Sequence, residues 1–115
     1  MIDYPEKISE AEIQAELWHR LKAMNIDARL QVNQRIGGRN PRLDIVIFKD
    51  YIAICIIECK SWSKSYIRNR KYQQAKNTKQ ILKYKQYFNL PVLICGCTNA
   101  IAPVSKIVES IYAKA

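Results

Sequence analysis

No apolar run in this chain approaches the ~18 consecutive residues that a membrane-spanning helix needs. The first residues, Met1-Ile2-Asp3-Tyr4-Pro5-Glu6, lack the basic-then-apolar pattern of a leader. The expectation is an intracellular, cytoplasmic protein with no membrane partner. Internal repeats, low-complexity tracts and evident linkers are missing too, so the 115 residues read as one compact domain. The paired C-x2-C knuckles of a zinc ribbon do not occur. Cys55, Cys59, Cys95 and Cys97 are spaced C-x3-C and C-x-C inside apolar runs, and read as buried free thiols of a reducing compartment. The lone histidine, His19, falls on a helix flank away from its apolar arc, where a surface residue is expected rather than a ligand.

Acid is almost missing from the second half. Nine of the ten acidic residues lie at or before Glu58, and the stretch from Cys59 to Val108 carries ten Lys or Arg and no acid, within a net charge of +9. A one-sign field of this kind favours a polyanion, either nucleic acid or an anionic membrane surface. The basic segment also carries Trp62, Tyr66, Tyr72, Tyr84, Tyr87 and Phe88, rings on which bases can stack.

What is present is an ordered series of elements. Residues 9 to 24 read as a helix, opened by the capping box Ser9…Glu12, with Ile13, Leu17, Trp18, Leu21 and Met24 on one apolar arc. Glu10 and Gln14 fall inside that arc. Either the first turn is open to water, or this helix end borders an active site. Residues 28 to 36 read as a half-exposed strand, followed by the turn cluster Gly37 to Pro41. Leu43 to Phe48 and Ala53 to Lys60 read as a hairpin whose second strand is apolar on both faces. Residues 71 to 88 read as a basic helix and Leu90 to Thr98 as a doubly buried strand. Pro103 can open a last helix striped by Val104, Ile107, Val108, Ile111 and Tyr112. The fold class is α/β, α-β-β-β-α-β-α, a mixed four-stranded sheet flanked by helices.

The chemistry gathers at Asp44 and at Glu58-Cys59-Lys60. Alternation along a strand puts Glu58 and Lys60 on one face, ~7 Å apart. Charges at the end of an apolar strand require partners or a metal. Whether Asp44 joins them depends on the turn. A two-residue turn at Lys49-Asp50 puts Asp44 on the opposite face. A three-residue loop, Asp50-Tyr51-Ile52, pairs Lys49 with Ala53 and sets Asp44 opposite Glu58 with Cβ atoms ~5 Å apart. Lys-Asp is not a favoured two-residue turn, so the longer loop is permitted. Two facing carboxylates repel unless a cation lies between them, and Mg²⁺ suits such a site.

Asp-x13-Glu-x-Lys on adjacent strands after a helix resembles the PD-(D/E)xK, restriction-endonuclease-like nucleases. Arg42-Leu43-Asp44-Ile45-Val46-Ile47 followed by Ile56-Ile57-Glu58-Cys59-Lys60 is similar to the amino-terminal nuclease domain of type I restriction enzymes, and Gln80-x3-Tyr84 matches the Q-x-x-x-Y pattern of some members. Leu43 stands where the superfamily name has proline. The resemblance implies a Mg²⁺-dependent deoxyribonuclease, with Mn²⁺ as a possible substitute metal. Asp44, Glu58 and the Cys59 main-chain carbonyl would hold the ion, and Lys60 would assist the attacking water. Glu10 would bind a second ion or the metal's waters. Gln73, Asn77, Gln80 and Tyr84 form a stripe free of Lys and Arg, which either turns toward this site or makes a polar helix–sheet seam. Arg39, Arg42, Lys64, Arg68, Arg70, Lys71, Lys76, Lys79 and Tyr84 would contact DNA, the cations through its backbone.

A chain this short has no separate recognition domain, so a homodimer or a partner subunit is expected. The rival readings are a catalytically silent DNA-binding subunit of a larger nuclease or restriction system, and a basic domain that contacts anionic lipid.

Overall fold

A computed structural model of the chain describes residue 2 and residues 8–34, 42–61 and 70–115, with 70–77 described in backbone alone. The elements are α1 (Glu10–Ala23), β1 (Asp27–Asn33), β2 (Arg42–Lys49), β3 (Ile52–Cys59), α2 (Arg70–Phe88), β4 (Val92–Cys95), a 3-10 turn (Thr98–Ala100) and α3 (Ile101–Lys114). Their order is the expected α-β-β-β-α-β-α. The sheet runs β1-β2-β3-β4, antiparallel through β3 and parallel between β3 and β4.

The ends of α1 follow from its sequence. Ser9 caps it by accepting from the Glu12 N–H at 3.2 Å, and Glu10 and Glu12 meet the positive end of its dipole. Asn25 turns left-handed at φ 59°. The Asn25 and Ile26 N–H groups then donate back to Lys22 and Leu21. That closure satisfies carbonyls the helix would otherwise leave unpaired. Asn89, at φ 55°, ends α2 in the same left-handed way, its N–H donating to the Lys85 carbonyl.

Two cores lie on the two faces of the sheet. On one face, Ile13, Leu17 and Leu21 of α1 and Ile101, Val104 and Val108 of α3 pack on Ile45, Ile47, Cys55, Ile57, Cys59 and Cys95. Each fully buried Leu or Ile there contributes roughly 1.5–3 kcal/mol. The other core is smaller, with Leu43, Val46, Ile56 and Val92 lying under Tyr84 of α2. β3 is covered on both sides, which is why it reads as an unbroken apolar run.

The hairpin departs from expectation in its construction. Its loop is the two residues Asp50 and Tyr51, at φ 52° and 68°, and Ile52 pairs with Lys49. Turns with both central φ positive match the right-handed twist of the flanking strands. A register shift between Ile47 and Phe48 then takes up one residue of β3, so Ile47 pairs with Cys55 and Ile45 with Ile57. The next step sets Asp44 opposite Glu58, the arrangement a three-residue loop would also have given.

Three other boundaries move. β1 ends at Asn33, short of residue 36. β4 is shorter than 90–98 because only Val92–Cys95 pairs with β3. α3 begins at Ile101, ahead of Pro103, and its Ile107 is 46 % exposed rather than part of the buried stripe. Lys49, at the end of β2, donates to the Tyr112 and Ala115 carbonyls at 2.7 and 2.9 Å and sits 4.9 Å over the Tyr112 ring. It thereby serves as the cationic cap of α3.

Among the described residues no helix is long and apolar enough to cross a membrane.

Candidate active site

The site lies where β2 begins and β3 ends. Asp44 and Glu58 stand on the same face of the sheet as Val46 and Ile56, under α2. Asp44 Oδ2 accepts from the Cys59 N–H at 2.8 Å, which fixes the carboxylate beside β3. Glu58 is only 4 % exposed, and among the described residues its Oε1 has no hydrogen-bond partner. An orphaned carboxylate oxygen in a buried position is costly, and such groups call for an explanation. Burial, then the Asp44 charge and a hydrogen bond shared with the Asp44 carboxyl, raise the Glu58 pKa to about 8; the Lys60 charge pulls it back. Near neutral pH the pair therefore retains a proton that a cation would displace.

Lys60 is half-buried just past β3. Its N–H donates to the Cys95 carbonyl at 2.9 Å, extending the β3–β4 pairing by one step. Ser61 Oγ donates to the Ile8 carbonyl at 2.5 Å and ties this end of β3 to the approach of α1. The Cys59 side chain lies in the core on the opposite face, so of Cys59 only the main chain borders the carboxylates. Burial, ahead of the nearby charges of Asp44, Cys95, Glu58 and Glu10, pushes the Cys59 thiol well up. Burial likewise raises Cys55 to about 12 and Cys95 to about 11. All four cysteines are free, and these three are held as neutral thiols.

The structure brings together some of the expected residues and not others. Burial raises the Tyr84 pKa, the Gln80 side chain one turn before it lowers it, and the charges of Glu58 and Asp44 raise it. Tyr84 thus lies on the carboxylates' side of the sheet, with Val46 and Ile56. Tyr84 is only 7 % exposed, packed in the smaller core, so its ring is not a platform for bases as expected. Glu10 is exposed at the first turn of α1, and its charge reaches the Cys59 thiol. Among the described residues no three His, Cys, Asp or Glu side chains form a group that could hold a metal ion. Lys79 is exposed on α2, and Arg42 is exposed with its Nε donating to Asn33 Oδ1 at 3.4 Å. Arg39, Lys64 and Arg68 lie outside the described residues, as do the side chains of Arg70, Lys71, Gln73, Lys76 and Asn77.

One contact had no role in the sequence reading. The Gln14 side-chain amide donates to the Asp44 carbonyl at 3.1 Å. The available signal was its place on the apolar arc one turn after Glu10, where a polar residue needs a partner.

A family model described as type I restriction enzyme R protein N terminus matches residues 6–95. The chain belongs to that family. The match to the R protein N terminus runs from just before α1 to the last residue of β4, and so contains Asp44, Glu58 and Lys60; α3 lies beyond it. No curated protein and no solved structure matches the chain.

Proposed function

We propose that this domain is a metal-dependent endonuclease that hydrolyses phosphodiester bonds in DNA. The observation that carries the reading is the facing pair Asp44 and Glu58, with Glu58 buried and its Oε1 without a partner among the described residues. Two such carboxylates suit a hard divalent cation, which would share the oxygens among itself and remove their mutual repulsion. Asp44, Glu58 and the Cys59 main-chain carbonyl would hold Mg²⁺, with Mn²⁺ as a substitute. When bound, the ion would polarise a phosphoryl oxygen and acidify a water.

The chain's own residues supply the rest. The Cys59 N–H keeps the Asp44 carboxylate turned toward β3. Lys60, anchored through its N–H on Cys95, would position the attacking water or offset charge developing on the phosphate. Tyr84, buried in the smaller core, would limit water on the α2 side of the pair. Exposed Lys79, Lys83 and Lys85 on α2, with Arg42 beside Asp44, would lie along the DNA backbone. They would give affinity and salt dependence without sequence readout. Membership in the R-protein family supports a restriction-system setting, in which a partner subunit, or a second copy, completes recognition.

The exposed lysines of α2 equally support a second reading, a DNA-binding module without chemistry. Incubation of supercoiled plasmid with wild type and Lys60→Ala in Mg²⁺, Mn²⁺ or EDTA separates the two. Metal-dependent cutting that is lost in the variant is the expected result. Salt-sensitive binding of both proteins without cutting would establish the binding module instead.

A further inference from the structure

Asp44 sits at a break in the sheet. The β1–β2 register passes from Leu30↔Ile45 to Val32↔Leu43 without pairing Gln31 to Asp44, and Gln31 is left-handed at φ 53°. That conformation costs about 1–2 kcal/mol for a residue with a Cβ, and such positions cluster at functional sites. At this step the Gln14 side chain reaches over from α1 to the Asp44 carbonyl at 3.1 Å. A carbonyl oxygen only accepts, so the Gln14 atom that meets it is the amide nitrogen. Gln14 adjoins the buried Ile13 and lies one turn before the buried Leu17, so core packing fixes the base of its side chain.

We infer that Gln14 is a positioning residue for Asp44: its amide holds the Asp44 main chain where β1 releases it, and so keeps the carboxylate facing Glu58. The role rests on the metal-dependent reading above. Asp44 is then held at two points, the carbonyl by Gln14 and Oδ2 by the Cys59 N–H at 2.8 Å. With the Gln14 donor removed, the Asp44 main chain would be held only by the pairs that flank Gln31 and, through its side chain, by the Cys59 N–H. The separation of the two carboxylates would then drift.

The test compares wild type with Gln14→Met, which keeps the length without a donor, and Gln14→Asn, which keeps the donor out of reach. Asp44→Asn serves as the metal control. Mn²⁺ affinity is read by electron paramagnetic resonance. Amide hydrogen exchange is followed at Cys59, whose N–H rests on Asp44, and at Ile56, whose N–H rests on the Pro91 carbonyl. Mn²⁺ affinity should fall about 10–100-fold in both Gln14 variants, as for groups that orient metal ligands. Exchange should quicken at Cys59 and stay unchanged at Ile56. Should Gln14→Met prove poorly folded, Gln14→Asn decides the matter. Wild-type affinity in the Gln14 variants overturns the inference and spares the metal-dependent reading. So does equal quickening at Cys59 and Ile56, the mark of general loosening. Absence of Mn²⁺ binding by wild type, or undiminished binding by Asp44→Asn, defeats the metal-dependent reading, and the Gln14 role falls with it.

Discussion

The Glu58 carboxyl lies against that of Asp44 across the β2–β3 ladder, and burial together with this neighbour lifts its pKa to about 8. The folded chain thus keeps a proton at Glu58 that the unfolded chain releases near the ordinary value of 4.5. Each pKa unit between the two states is worth about 1.4 kcal/mol.

Because the folded pKa is raised, this stabilisation is fully present below pH ~4.5 and is lost as pH rises through about 8. In EDTA, the unfolding free energy of wild type from urea titrations should fall between pH 5.5 and 8.5, by about a few kcal/mol at most. Glu58→Gln, which has no proton to lose, should flatten the profile over that range. Parallel profiles for the two proteins would contradict the shared proton.

A cation and that proton compete for the same oxygens, so Mg²⁺ affinity should rise with pH toward 8. Lys60 lowers the Glu58 pKa. Removing its charge in Lys60→Met should therefore move the binding curve to higher pH, apart from any loss of rate. Calorimetric Mg²⁺ titrations at several pH values measure the displacement. An unmoved curve would mean that Lys60 and Glu58 are not electrostatically linked.

Asp44→Asn keeps an oxygen able to accept from the Cys59 N–H, so the fold should persist while the charge is gone. Plasmid cutting should fall by about 10²–10³-fold, the scale for removing one group that stabilises developing charge. Circular dichroism and nicking assays on the same preparation separate loss of chemistry from loss of structure.

Tyr84 separates packing from recognition. Tyr84→Ala should cost about 3–5 kcal/mol, as for deletion of a buried ring, whereas Tyr84→Phe should leave duplex affinity unchanged. Fluorescence anisotropy with labelled DNA checks the second point. Weaker binding by a stably folded Tyr84→Phe would show that the hydroxyl reaches the nucleic acid.

The hairpin offers a stabilising change. Asp50 and Tyr51 both hold a left-handed φ, and Tyr51 is 96 % exposed, so its ring adds little packing. Replacing the pair by Asn-Gly should raise stability by about 1 kcal/mol without altering the site. Thermal denaturation measures the gain.

The facing of Asp44 and Glu58 was legible in the sequence because strand alternation and one loop length sufficed to align them. The route was not legible. A two-residue turn plus a register shift counts the same residues as a three-residue loop, and only backbone angles at Asp50 and Tyr51 distinguish the two. The cap at Ser9 was readable, since its partner lies three residues away. Gln14 was not, because its acceptor lies thirty positions on and belongs to a main chain. Tyr84 was legible as part of the α2 stripe free of Lys and Arg, but that stripe left both an inward place and a DNA contact open to it. Its packing with Val46 and Ile56 is a tertiary fact that helical spacing does not carry. Ile107 turns outward at 46 % exposure, although helical spacing put it on the apolar stripe.

β3 has a near neighbour in sequence on one side and a distant one on the other. Its pairing with β2 closes a two-residue turn, whereas its pairing with β4 waits on the whole passage through α2. Local pairings form first in folding because their entropic cost is small. On that order the two carboxylates would meet early, and Lys60 would gain its anchor on Cys95 only when the last strand docks. The nascent hairpin carries an electrostatic burden before the basic half of the chain can relieve it. Mild acid or a divalent ion should consequently hasten refolding, visible in the folding limb of a chevron plot.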